Sequence, residues 1–136
     1  MPKRKEIIVN NEFYHIYNSS TGGIALFTGI KYQERALALL DYYRYPQKYR
    51  YSKYLILPID ERLNYEVGFR KEKPIIELYA FCLMPNHFHL IIKQNTDNGI
   101  KKYVANIQNG FAKYFNLKSG RFGGVYQGPF KSKHIE

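Results

Sequence analysis

The order of strand and helix signals, β-α-(α)-β-β-α-β, predicts an α+β domain of the ferredoxin-like, split βαβ type. Such a domain is a four-stranded antiparallel sheet with helices on one face. Three observations carry the prediction. Runs rich in β-branched and aromatic residues lie at 13–18, 75–84 and 87–93. Two longer stretches, one after the first run and one after the third, repeat apolar residues at helical spacing. A Pro85-Asn86 pair joins the two middle runs as a hairpin.

The first run, FYHIYN, reads as a strand. STGGIALFTG follows, with Gly22, Gly23 and Gly29, and reads as a loop. From about Tyr32 to Tyr43, Ala36, Leu39, Leu40 and Tyr43 recur at i, i+3, i+4 and i+7, which gives one buried helix face. Pro46 ends that helix, and Pro58 followed by Asp60 and Glu61 starts a short polar one. Pro74 breaks it, IIELYAFCLM reads as the second strand and HFHLIIK as the third. Between about Ile100 and Asn116, Val104, Ile107, Phe111, Tyr114 and Phe115 form a stripe, with Lys101, Lys102, Lys113 and Lys118 largely off it. VYQGPFKSKHIE reads as the last strand, and Pro129 puts it at a sheet edge.

The 136 residues suit one domain, and 45% apolar content is enough for a core. There are 21 Lys and Arg against 11 Asp and Glu, a formal net charge of +10. That balance points to a polyanion as partner, most simply nucleic acid. The 14 Tyr and 9 Phe add rings that can stack unpaired bases, although with no Trp many must also serve the core. The single cysteine, Cys82, excludes an internal disulfide and reads as a buried packing residue. No apolar run is long enough to span a bilayer, and the N-terminus, MPKRKEIIVNNEF, lacks the apolar core of a secretion signal. A cytoplasmic protein with no membrane partner is the expectation.

FCLMPNHFHLII, residues 81–92, carries the sharpest chemical signal. A strand has period two, so His87 and His89 share one face while Phe88, Leu90 and Ile92 take the other. Two imidazoles at that spacing can chelate one divalent ion. The same parity applied to 75–83 puts Ile76, Leu78, Ala80 and Cys82 on one face and Glu77, Tyr79 and Phe81 on the open one. On the first strand His15 sits with Phe13 and Tyr17, but parity alone does not say which face is open. Lys93 and Gln94 read either as DNA contacts or as a solvated strand end, and Asn86 as a turn residue close to the pair. His134 reads as a surface residue.

The longer string LMPNHFHLIIKQ, residues 83–94, resembles the signature of the HUH single-tyrosine transposases of bacterial insertion sequences. Among these it is most similar to the REP-associated tyrosine transposases. FYHIYN at 13–18 looks like that family's first strand, and KYFNLKSGRFGGVYQGPFKSKHIE at 113–136 is similar to the segment after its second helix. The resemblance implies a single HUH domain over residues 1–136, a homodimer, and DNA transposition by metal-dependent cleavage and joining of single-stranded or hairpin DNA. It implies that His87 and His89 hold Mg²⁺ or Mn²⁺ and that a tyrosine forms a 5′-phosphotyrosine link. Lys93, Lys101, Lys102, Tyr103, Lys131 and Lys133 are the expected DNA contacts, with His15, Asn86 and Tyr126 as neighbours of the active site.

The family's nucleophile stands in a Tyr-Ile-x-x-Asn-Pro context on a helix after the last strand, and residues 1–136 contain no such string. The expectation is that the nucleophile lies past Glu136, in a longer chain or missing from a truncated one. Tyr103, Tyr114 and Tyr126 are weaker internal candidates. Two family arginines able to reach phosphate are also replaced: Asn18-Ser19-Ser20 stands for Asn-Arg-Gly, and Gly128-Pro129-Phe130 for Gly-Arg-Phe. Two alternatives stay open. One is a single-stranded nucleic-acid-binding module without catalysis, with aromatics on the open sheet face. The other is a replication initiator or relaxase, which shares the two-histidine chemistry but not the Met-Pro-Asn lead-in.

Overall fold

The computed structural model describes residues 7–136, so the reading of the extreme N-terminus falls partly on residues 1–6, outside the described residues. The strands are β1 (Phe13–Ser19), β2 (Ile76–Met84), β3 (His87–Gln94) and β4 (Lys131–Ile135). The helices are α1 (Ile30–Tyr42), α2 (Tyr51–Leu55), α3 (Ile59–Arg70) and α4 (Gly99–Ser119). The sheet order is β2-β3-β1-β4, and every neighbouring pair is antiparallel. This is the predicted split βαβ arrangement. Among the described residues, no helix is long and apolar enough to cross a membrane.

Burial follows the two predicted stripes. Ala36, Leu39, Leu40 and Tyr43 of the first helical stretch are buried, as are Val104, Ile107, Phe111 and Phe115 of α4. They meet Tyr14 and Ile16 of β1 and Phe88, Leu90 and Ile92 of β3. The three β3 side chains together contribute about 5–9 kcal/mol of apolar burial. Net stability of a domain is only about 5–15 kcal/mol. A one-residue slip would turn all three to solvent, so the face of β3 that carries the histidines is strongly specified.

One contact pins the far end of β3 to α4, and another sets α4 against the residue that leads into β2. Gln94 is buried; its amide accepts from the Ile100 N–H (3.0 Å) and donates to Asn10 Oδ1 (2.9 Å). It is therefore a structural clamp and not a DNA contact. Gly99 lies so close to the sheet that a Cβ there would sit 2.5 Å from the Ile75 carbonyl oxygen.

Three expectations need correction. The last strand starts at Lys131, not Val125; Tyr126 makes only an isolated bridge with Ser20. The five-residue α2 was not anticipated, because it is too short to show a period. Its Tyr54 joins Tyr42, Tyr65 and Phe69 in an aromatic cluster between helices. The third correction concerns β2. Its pairing steps from Leu78↔Ile92 to Ala80↔Ile91, which makes Tyr79 an extra, bulged residue. Beyond the bulge the parity inverts. Ala80, Cys82 and Met84 pair with residues of the open face, and Phe81 and Leu83 with residues of the helix side.

Candidate active site

The register turns the open face into a grid. One row reads Cys82–His89–Tyr17–Lys131 and the next Ala80–Ile91–His15–Lys133. Beyond them lies Glu77–Lys93–Phe13–Ile135, and at the other end Met84–His87–Ser19. Burial settles what parity left open on β1: Tyr14, Ile16 and Asn18 face the core, so Phe13, His15 and Tyr17 share the face of the histidine pair. Lys131 and Lys133 are exposed beside Tyr17 and His15.

The hairpin turn is held from behind. The Pro85 carbonyl accepts from the N–H groups of Leu26 (2.7 Å) and Phe27 (3.1 Å), and the Asn86 carbonyl from Ser20 N–H (2.8 Å). These bonds fix the entry into β3, and with it the position of His87.

The two rings stand edge to face, with centroids 5.1 Å apart and planes at 88°. His87 Nδ1 lies 2.8 Å from Asn86 Oδ1, and an amide oxygen can only accept. His87 therefore donates from Nδ1, which leaves a lone pair on Nε2. His89 Nδ1 lies 2.9 Å from His15 Nε2. When His89 donates there, its own Nε2 is also free to ligate. Asn86 thus sets the tautomer of His87, and His15 orients the ring of His89. His15 and Tyr17 also stack on the His89 ring, with centroids at 5.1 and 5.9 Å. Partial burial, together with the neighbouring His15 and His87, lowers the His89 pKa below the ordinary imidazole value. A neutral ring is the form that binds metal.

The donor set suits a divalent ion in part. Two neutral imidazoles can fill two positions of a Mn²⁺ or Mg²⁺ site, and the remaining positions of such hard ions take phosphate and water oxygens. Among the described residues, no group of three or more His, Cys, Asp or Glu side chains is arranged to hold an ion. The residues therefore fit as part of a coordination sphere that the substrate helps to complete.

Several expected site residues lie elsewhere. Tyr103 is fully buried, its hydroxyl donating to the Leu40 carbonyl (2.7 Å), so it cannot stack a base; burial raises its pKa. Tyr126 is half-buried on the helix side, its ring edge-on to Phe88 at 6.0 Å, and burial raises its pKa too. Neither neighbours the histidines. Tyr114 packs against Tyr32 and under the Arg35 guanidinium. Lys101 and Lys102 are exposed on the first turn of α4, at the Gln94 end of β3 and in the helix layer, away from the pair. Lys93 is on the open face and pairs with Glu77 at 3.5 Å. His134 points to the helix side, against the Tyr14 ring and 3.7 Å from Glu12. Cys82 is exposed rather than buried, because the bulge turns it to the open face beside His89. Tyr17 was not singled out by the sequence, since no feature of β1 alone shows which side the helices cover.

No curated protein sequence matches. Among solved structures, the fold is similar to a REP-associated tyrosine transposase bound to a REP hairpin: TM-score 0.59, 13% identity, covering 100% of this chain and 63% of that one. The chain thus spans less than two thirds of that protein's length. It is also similar to a candidate transposase from Deinococcus radiodurans R1: TM-score 0.57, 13% identity, covering 99% of this chain and 87% of that one. A family profile described as "Transposase IS200 like" matches residues 45–130, which include the turn and both histidines. The match spans well over half of the sequence, and on it the chain belongs to the IS200-like transposase family.

Proposed function

We propose that this chain is a single HUH domain that acts in DNA transposition, cutting and joining single-stranded DNA, or the single-stranded part of a hairpin, on its open sheet face. The observation that carries the reading is the paired geometry of His87 and His89, each with Nδ1 engaged by a neighbour, which for His87 leaves Nε2 to a ligand. Family membership supports it, as does a face that sets Lys131 and Lys133 beside the pair.

His87 and His89 would hold Mg²⁺ or Mn²⁺, with Mn²⁺ favoured because no carboxylate joins them. When bound, the ion polarises the scissile phosphate and gathers charge in the transition state. Asn86 keeps His87 in the ligating tautomer, and His15 does the same for His89 when it accepts from His89 Nδ1. Lys131 and Lys133, with Lys93, draw the phosphate backbone across the sheet. A tyrosine oxygen attacks phosphorus, the bond from phosphorus to the 3′ oxygen breaks, and the strand leaves as a 3′-hydroxyl. The 5′ phosphate stays on the tyrosine, so attack by another 3′-hydroxyl joins a new strand without ATP. None of the three internal candidates presents its oxygen to the histidine pair. Tyr103, Tyr114 and Tyr126 are packed away, and Tyr17 lies flat against His15 and His89. We further read the working unit as a cytoplasmic homodimer.

The test is cleavage of labelled single-stranded oligonucleotides with Mn²⁺ by the product of the whole reading frame. The expected result is a covalent protein–DNA adduct, lost in His87→Ala and in His89→Ala. Equal cleavage by these variants would remove the mechanism. A second reading, single-strand binding without chemistry, draws on the two-imidazole donor set with no third protein ligand among the described residues. Calorimetry separates the two: tight oligonucleotide binding with no heat of Mn²⁺ binding favours the second.

A further inference from the structure

The open face carries a second feature, at the end away from the hairpin turn. Tyr79 is 57% exposed although it lies within a paired strand. It is the extra residue of the β2 bulge, so it lacks a Cα partner on β3, and it keeps the open side that it shares with Glu77. Its ring reaches across β3 to Phe13 of β1, with centroids 5.1 Å apart and planes at 59°. The two rings form a tilted pair over the Lys93 row, two rows from His89 and on the same side of the sheet. Four residues of strand separate the Phe13 row from the His89 row, about 13 Å. The Tyr79 hydroxyl is not needed to hold the fold: the ring lies on the surface, and the pairing on either side of the bulge continues without it.

We infer that the Tyr79–Phe13 pair is a stacking platform for one unpaired nucleobase of a strand whose phosphate lies at the histidine pair. This rests on the single-strand reading above. Three observations select a base as occupant. The flat, exposed phenol offers a π-face that every base can use. Lys133, one row nearer the histidines, supplies positive charge for the connecting backbone, while Lys93, in the same row, is paired with Glu77 at 3.5 Å. The path from the rings to His89 runs along one open face, past Ile91 and His15. Tyr79 is thus a positioning residue: by anchoring a flanking base it sets which phosphate reaches the histidines.

The chain has no tryptophan, so Tyr79→Trp places a single fluorophore on the platform. Leu63→Trp, on the outer side of α3 in the helix layer, is the control. The probe is a short single-stranded oligonucleotide, with binding followed independently by anisotropy. Expected are a loss of indole fluorescence on binding in Tyr79→Trp, little change in Leu63→Trp, and an affinity about 5- to 150-fold weaker in Tyr79→Ala. Replacing successive nucleotides by abasic sugars should identify one position whose loss weakens the parent by a similar factor and leaves Tyr79→Ala indifferent. Binding without any change in the fluorescence of Tyr79→Trp, or with full affinity in Tyr79→Ala, overturns the platform alone. No single-strand binding by the parent overturns the functional reading and the platform together.

Discussion

β2 and β3 are paired along their lengths, yet they use the period of a strand in opposite ways. β3 alternates without interruption: Phe88, Leu90 and Ile92 inward, His87, His89, Ile91 and Lys93 outward. β2 alternates only until Tyr79, where one extra residue inverts the rest. The difference lies in how much apolar burial each strand commits. β3 is central in the sheet and its inner residues are almost fully buried, so a slip would cost a large share of the net stability. β2 is an edge strand, half-covered from Leu78 to Met84, where a bulge disturbs little and is commonly tolerated. The histidine pair sits on the strand that cannot slip, and the exposed ring on the strand that can bulge.

The largest expected effect comes from single-residue deletions. Removing Phe88 sets the histidine register against the Leu90–Ile92 register, so thermal melting should show loss of most of the net stability of about 5–15 kcal/mol. Removing Tyr79 leaves Leu78, Ala80 and Phe81 opposite their present partners, and should cost no more than about 1 kcal/mol in urea unfolding. If both deletions unfold the chain equally, the contrast between the strands is wrong. Next in size is His15→Ala, which removes the partner of His89 Nδ1. It should weaken Mn²⁺ binding about 10- to 100-fold in a titration while leaving the melting curve nearly in place.

The pH dependence is a smaller effect with a definite sign. The lowered pKa of His89 means that the folded chain binds a proton there less readily than the unfolded chain. Its contribution to stability is present above the ordinary imidazole value of 6.5 and is lost as pH falls through the lowered one. A proton titration followed by NMR should find His89 more than half neutral at pH 6.5; a midpoint above that value would contradict the packing assigned to it. The smallest effect concerns Cys82. Because the bulge exposes it, the native thiol should react with an alkylating reagent at close to its unfolded rate, where uninterrupted alternation would leave it protected.

Much of this was legible in the sequence. The element order, both helix stripes and the outward face of β3 follow from periodicity, because deep burial there leaves one permissible register. What escaped is local. A bulge at a half-exposed edge has no apolar signature, so Cys82 and Phe81 were placed on the wrong faces. The open face of β1 depends on where α1 and α4 pack, which β1 itself does not encode; hence Tyr17 went unnoticed and His15 was left ambiguous. Composition also overstated the rings available to bases. Tyr103 and the α1–α3 cluster show that many of the tyrosines fill the space between helices, a role tyrosine shares with phenylalanine when its hydroxyl finds a carbonyl.

The central claim, that His87 and His89 form a two-point chelate on the open face, can be tested without cleavage. Mn²⁺ is paramagnetic and broadens NMR signals close to where it binds. Titrated into the folded chain, it should broaden the ring resonances of His87 and His89 first, then those of His15 and the amide of Cys82, and His87→Ala should abolish the effect at the same Mn²⁺ concentration. Broadening centred elsewhere, or unchanged in His87→Ala, would contradict the account.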